Sequence, residues 1–372
     1  MNVLICPFSD RLMNNKLFFA NERDDCLRPY RDLKDNLKQK NIIINTIDAG
    51  DVRDADFVIF FGLDNLTQIE KCLEYLSPKK LILILIEPPF LCPQNYDKNL
   101  HALFGQIGTW LPSLIDNKRY FYFPIFVNRY PAPAQKDFKE KKLLTAICSN
   151  KINNHKLALY KERIKAIRYF EKKCQNDFDL FGMGWHQPRG FLQKKGIVPV
   201  PHYSSYRGAA ESKQNILSKY KFSICYENSI YPGYITEKIF DSLQARCIPI
   251  YLGAPDIEKY VPPDIFIDKR KFTTYEELCR FIKNMTENDY EGYIKRIENY
   301  LSGERFRDFL SDKFSKTIIE FIEKRDIQTA DNKSYKKGIK KMKAIVERKK
   351  IRRRIKQVLP ERFLRFIDKE GK

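Results

Sequence analysis

Short runs rich in apolar residues, each followed by a stretch of helical spacing, limit this chain more than any other feature. They are Asn2–Cys6, Ile42–Ile47, Phe57–Phe61 and Leu81–Ile86. A strand that is apolar along its whole length has no face to give to water, so it must be covered on both sides. The spacers between the runs, such as Tyr30–Lys40 and Leu66–Tyr75, have the spacing of covering helices. Strand and helix in alternation predict a parallel, doubly wound sheet.

The pattern breaks and then restarts. Phe121–Phe126 is followed by Asn128–Lys142, which mixes Pro131 and Pro133 with charged residues and reads as a linker. Strands are then expected at Leu143–Cys148, Phe178–Phe181, Lys221–Tyr226 and Ile248–Tyr251, with helices at Lys156–Phe170, Glu211–Lys219 and Thr236–Leu243. Further helices follow around Thr274–Met285, Tyr290–Leu301 and Phe306–Lys324. The expected division is a first α/β domain over 1–135, a second over 140–328, and a tail over 329–372. At 372 residues and 43% apolar, the chain can build two cores.

Charge is concentrated at one end. The net charge is +21, yet residues 333–372 hold 17 Lys and Arg against 4 Asp and Glu. Ile339, Met342, Ile345, Val346, Ile351, Ile355, Val358 and Leu359 recur among those cations at roughly helical spacing. After Pro360 a second piece carries Phe363, Leu364, Phe366 and Ile367. A basic amphipathic helix suits an anionic membrane surface. The expected location is therefore cytoplasmic, peripheral to the inner face of the membrane. No nucleic-acid motif or stacked aromatic groove accompanies the charge, so nucleic acid is not an expected partner.

Nine cysteines, an odd number without a CxxC pair, read as buried thiols. Four histidines, none at ligand spacing with cysteine, give no metal site. Met1–Cys6 enters a strand directly, without the pattern of a secretory leader. The longest apolar run, Leu81–Ile86, is of strand length. Asp54–Ala55–Asp56 precedes a strand and reads as a solvated loop. Trp185, His186 and His202 either line a cleft or pack.

Chemistry is expected in Tyr220–Asp256. A strand ends at Glu227–Asn228, a loop follows with Pro232 and Gly233, and Thr236–Glu237–Lys238 opens a helix. Ligands of such sheets bind beyond the strands' carboxyl ends. A helix N-terminus offers free N–H groups and partial positive charge to a diphosphate. A lysine in a first turn opposes the helix dipole unless an anion sits beside it. The words YKFSICYENS, GYITEKIFD and IPIYLGAPD, with fainter FGMGW and AICSNK before them, resemble the α-1,3-fucosyltransferase family.

That resemblance implies a GT-B-like architecture: two Rossmann-like domains facing a cleft, with the second binding GDP-fucose. It implies inverting transfer of L-fucose to an acceptor oligosaccharide or glycolipid, α-1,3/4-linked on an N-acetylhexosamine, with no cofactor required. Tyr234, Glu237 and Lys238 would contact the donor, and Asn228 would shape the pocket. A basic residue seven positions after Ser149, here Lys156, would grip the diphosphate, with Arg163 as its rival. A general base from the first domain would take the acceptor hydroxyl's proton. Glu87, after the strand Leu81–Ile86 and before Pro88–Pro89, is the candidate. The alternatives are transfer from another GDP-sugar, or a non-catalytic basic module that binds membrane or polyanions.

Overall fold

A computed structural model describes residues 1–20, 22–134, 136–188 and 193–358. Two all-parallel sheets form its frame. The first runs in the order β2-β1-β3-β4-β5-β6, from β1 (Asn2–Cys6), β2 (Ile43–Thr46), β3 (Phe57–Phe61), β4 (Leu81–Leu85), β5 (Gln106–Thr109) and β6 (Tyr120–Tyr122). The second runs β11-β10-β9-β7-β8, from β7 (Lys142–Ile147), β8 (Phe178–Phe181), β9 (Tyr220–Tyr226), β10 (Ile248–Leu252) and β11 (Ile267–Asp268). The central strand β4, LILIL, is buried at every residue, as its lack of alternation requires.

Helices cover both faces. In the first domain α1 (Arg28–Gln39) starts with Pro29 in its first turn and buries Tyr30, Leu33 and Leu37. α2 (Leu66–Tyr75) and the single turn α3 (Lys98–His101) lie on the other face. The second domain adds α4 (Tyr160–Cys174), α5 (Lys213–Leu217), α6 (Glu237–Gln244), α7 (Tyr275–Lys283), α8 (Glu287–Ser302) and α9 (Glu304–Arg307). Thr274 closes a capping box with Glu277 at the start of α7.

The chain then crosses back. α10 (Ser311–Glu323) lays Phe314, Ile318, Phe321 and Ile322 into the first domain's core beside Tyr30 and Phe123. The stretch 311–323, read from sequence as part of the second domain, thus completes the first. The outward crossing near Val127 and the return crossing near Leu310 are tied together. Val127 N–H donates to the Phe309 carbonyl at 2.8 Å, and Ser311 N–H donates to the Val127 carbonyl at 2.8 Å.

The tail corrects a second expectation. α11 (Asn332–Val358) is helical and basic, but the first part of its apolar face is not free to meet a membrane. Met342 and Val346 are buried in the first domain's core, with Tyr335, Ile339 and Ile345 packed against it. Gly338 permits the approach, because a Cβ there would stand 2.5 Å from the Asn99 carbonyl of α3. Helical apolar spacing requires a partner surface without naming it, and here the first sheet's helices supply that surface. Of the tail's apolar residues, Ile351 stands exposed. The piece after Pro360 lies outside the described residues. Met342→Ala is expected to destabilise the protein by about 2–5 kcal/mol, measured by urea unfolding.

Candidate active site

The carboxyl ends of β7, β8 and β9 and the first turn of α6 border a half-open cavity of about 190 Å³. Its floor depends on Gly182, the residue after β8. Gly182 has φ +126, and a Cβ there would stand 2.1 Å from the Cys148 carbonyl. Gly182→Ala is therefore expected to displace the ends of β7 and β8 and to weaken ligand binding together with stability. Calorimetric titration and thermal melting of one preparation would check both.

The N-terminus of α6 is left open for an anion. Thr236 occupies the N-cap position, but its side chain makes no hydrogen bond to the helix's own N–H groups. Instead its hydroxyl donates to Glu227 Oε2 at 2.7 Å and its N–H to Glu227 Oε1 at 2.8 Å. Glu227 is wholly buried, and burial raises its carboxyl above the ordinary range. Lys238 Nζ lies 3.3 Å from Glu227 and 3.4 Å from Glu237. Burial opposes its charge, but these two carboxylates hold Lys238 protonated. Glu237 shows the converse. Enclosure works against its charge, yet Lys238 and Lys213 bring it down to about 2. Glu237 is therefore a fixed anion at any working pH.

Arg163, on α4, reaches the same cavity. Its guanidinium donates to the Tyr226 carbonyl at 2.7 Å and the Glu227 carbonyl at 3.0 Å, and it approaches Asn228 Oδ1 at 3.4 Å. Asn228 in turn donates to the Tyr234 hydroxyl at 3.4 Å. Lys156 is exposed and does not line the cavity. The stretch between Ser149 and Tyr160 is irregular, so a gap-free count along it does not track position in space. Lys151, from the same stretch, does line the cavity.

Glu87 stands across the cleft, on the loop after β4. Enclosure by the cleft raises its carboxyl, while Lys151 and Lys238 pull the other way. Those lysines belong to the second domain, so their field reaches Glu87 across the cleft, although the residue itself stays exposed to solvent. Trp110 fixes that relation. Its indole N–H donates at 2.7 Å to the carbonyl of Ile86, next to Glu87, and its ring lies 4.9 Å from that of Tyr234. Phe90 stacks on His155 at 5.1 Å beside it. Trp110 and Phe90 were missed from sequence because their ring partners, Tyr234 and His155, lie in the other domain. Trp185 packs: it is buried and donates to the Cys148 carbonyl at 2.7 Å. Asp56 accepts from the Asn2 N–H at 2.8 Å, which is a structural task. Among the described residues, no three His, Cys, Asp or Glu side chains converge as a metal would require.

Two parallel-sheet domains facing across a cleft, with a phosphate-suited pocket on the second, define the GT-B class of glycosyltransferase folds. A solved α1,3-fucosyltransferase with GDP superposes with TM-score 0.54 over 89% of this chain and 92% of its own, at 15% identity. Anabaena HepE in complex with UDP-glucose follows with TM-score 0.51 over 86% and 98%, at 12% identity. Residues 138–322 match the family model for glycosyltransferase family 10 (fucosyltransferase), C-terminal, and this part of the chain belongs to that family. The Helicobacter pylori α-(1,3)-fucosyltransferase is 32% identical over 138 residues, 33% of this chain and 28% of the relative. The Arabidopsis thaliana α-(1,4)-fucosyltransferase is 38% identical over 72 residues, 19% of this chain and 18% of its own. The chain thus matches less than a third of the length of either relative.

Proposed function

We propose that the protein transfers L-fucose from GDP-fucose to a hydroxyl of an acceptor glycan, with inversion at the anomeric carbon. The observation that carries this reading is the charged cluster at the start of α6, where Lys238 stands 3.3 Å from Glu227 and 3.4 Å from Glu237 with Arg163 on the strand-end carbonyls beside it. The diphosphate lies at the open N-terminus of α6, held by Lys238 and Arg163. The fucose then projects toward Glu87. Glu87 takes the proton of the acceptor hydroxyl as that oxygen bonds to the anomeric carbon and the bond to GDP breaks. Positive charge grows on the sugar ring, and Glu237 stabilises it. Lys238, Arg163 and the helix dipole take up the negative charge of departing GDP. The acceptor is an oligosaccharide or glycolipid, with α-1,3 or α-1,4 linkage to an N-acetylhexosamine. No metal or cofactor takes part in this scheme.

The basic end of α11, with Arg348, Lys350 and Arg352 exposed, meets an anionic membrane at its cytoplasmic face. Co-sedimentation with phosphatidylserine vesicles, lost in high salt and absent with phosphatidylcholine, is the expected result.

Melting the protein against GDP, GDP-fucose, GDP-mannose and UDP-galactose tests the donor. Ligand at 100 times its Kd stabilises the folded state by about 2.7 kcal/mol. A rise in Tm with GDP and GDP-fucose, unchanged by EDTA, and EDTA-insensitive fucosylation of an N-acetyllactosamine acceptor support the proposal. No shift with any nucleotide rejects it.

A further inference from the structure

The donor cavity has two ends, and the proposed chemistry accounts for one of them. Lys238 turns toward Glu227, and Arg163 toward the strand-end carbonyls of Tyr226 and Glu227. One helical turn further along α6, Asp241 is buried and pairs with Lys213 at 2.7 Å. Leu217 offers an apolar wall there. A nucleotide sugar is linear: sugar, diphosphate, nucleoside. With the sugar under Glu87 and the diphosphate at Lys238, the nucleoside extends to the Lys213 end.

At that end the cavity is completed from the other domain. Arg23 belongs to the first domain, on the loop before α1, yet it lines the cavity. The loop is strained and firmly seated. Asp24 and Asp25 have φ of 56° and 53°, a left-handed conformation that costs free energy outside glycine. Asn128 donates to the Asp25 carbonyl at 2.7 Å, and the Tyr130 hydroxyl to the Asp24 carbonyl at 3.0 Å. Lys213 N–H donates to Asp24 Oδ1 at 3.0 Å. These contacts join first domain, linker and second domain at one point.

Arg23 itself is only partly engaged. Nη1 donates to the Ala210 carbonyl at 3.3 Å, and Nε lies 3.1 Å from Asp24. Its side chain keeps 45% of its exposure, so guanidinium N–H groups remain for a ligand. We infer that Arg23, supplied by the first domain, reads the guanine base of the donor held in the second. This rests on the GDP-sugar reading above. Guanine carries O6 and N7 as adjacent acceptors, which match a guanidinium fork. Adenine puts an amino donor beside N7, and uracil has no N7 to complete the pair. The strained loop thus makes base selection a property of both domains together.

Calorimetric titration of the full chain with GDP, UDP and inorganic pyrophosphate tests this in wild type, Arg23→Ala and Arg23→Lys. Arg23→Ala is expected to weaken GDP roughly 10- to 100-fold while pyrophosphate is unchanged, so that preference for GDP over UDP collapses. Lysine keeps the charge but not the fork, and should leave most of that loss. An unchanged GDP-to-UDP ratio in Arg23→Ala would overturn the inference. So would equal losses for GDP, UDP and pyrophosphate, which would mark a structural role for the loop. If wild type itself bound no GDP, the donor assignment above would fail, a result distinct from either.

Discussion

Glu87→Gln is expected to lower kcat for fucosyl transfer on the order of 10³-fold, within the range by which a positioned base accelerates proton transfer. Glutamine keeps the size and polarity of the side chain but cannot accept the proton. GDP binding and Tm should therefore stay near wild type, because the donor's diphosphate is held by the other domain. The pH profile gives an independent reading. A base must be ionised to act, and the cleft raises the Glu87 carboxyl above its ordinary 4.5. Activity should therefore rise with pH through that raised value, and the acidic limb should vanish from the residual activity of Glu87→Gln. A variant that turned over at the wild-type rate would move the base elsewhere.

Lys238→Ala is expected to have the second large effect, and it has two parts. Removing a preorganised cation from the departing diphosphate costs roughly 10²–10³ in kcat. It also strands Glu227, whose side chain has 0% exposure. Breaking such a buried pair destabilises by about 3–5 kcal/mol. The sign of the pH dependence separates the parts. Glu227 already lies above its ordinary 4.5 through burial, and loss of Lys238 removes the nearest opposing charge. A carboxyl raised in the folded state binds its proton more tightly there than when unfolded. The Tm deficit should thus be smallest at acid pH. It should grow as pH rises past the raised value that Glu227 has in wild type and level off above the still higher value it takes once Lys238 is gone. The kinetic loss should persist throughout. Combining Glu227→Gln with Lys238→Met should restore much of the stability and none of the activity.

The parallel sheets were legible because a doubly covered strand leaves its mark as an apolar run, as in LILIL of β4. β5, QIGT, was harder to see. Gln106 is buried there as a donor to the Phe321 carbonyl at 2.8 Å, a partner 215 residues away in sequence. The words around Glu227 and Lys238 were legible because strand end, loop and helix start are contiguous in the chain. The choice between Lys156 and its rival Arg163 is decided only in three dimensions, since the irregular stretch before α4 sets which cation reaches the cavity. Trp110 and Arg23 carried no local signal, because the contacts that bring them to the site, to Tyr234 and to the Ala210 carbonyl, cross to the opposite domain.

The return of α10 and α11 to the first sheet has a consequence for how the chain is made. Domains usually fold in order as they leave the ribosome. Here the amino-terminal half waits. Its core needs Phe314 and Phe321 from α10, then Met342 and Val346 from α11. Until those residues emerge, Tyr30, Leu33, Phe123 and the outer faces of α2 and α3 lack their cover. The second domain, encoded between, can close first and serve as the platform on which the earlier half is finished. A nascent chain stalled before residue 311 should therefore protect its second sheet from protease while the first is still cut.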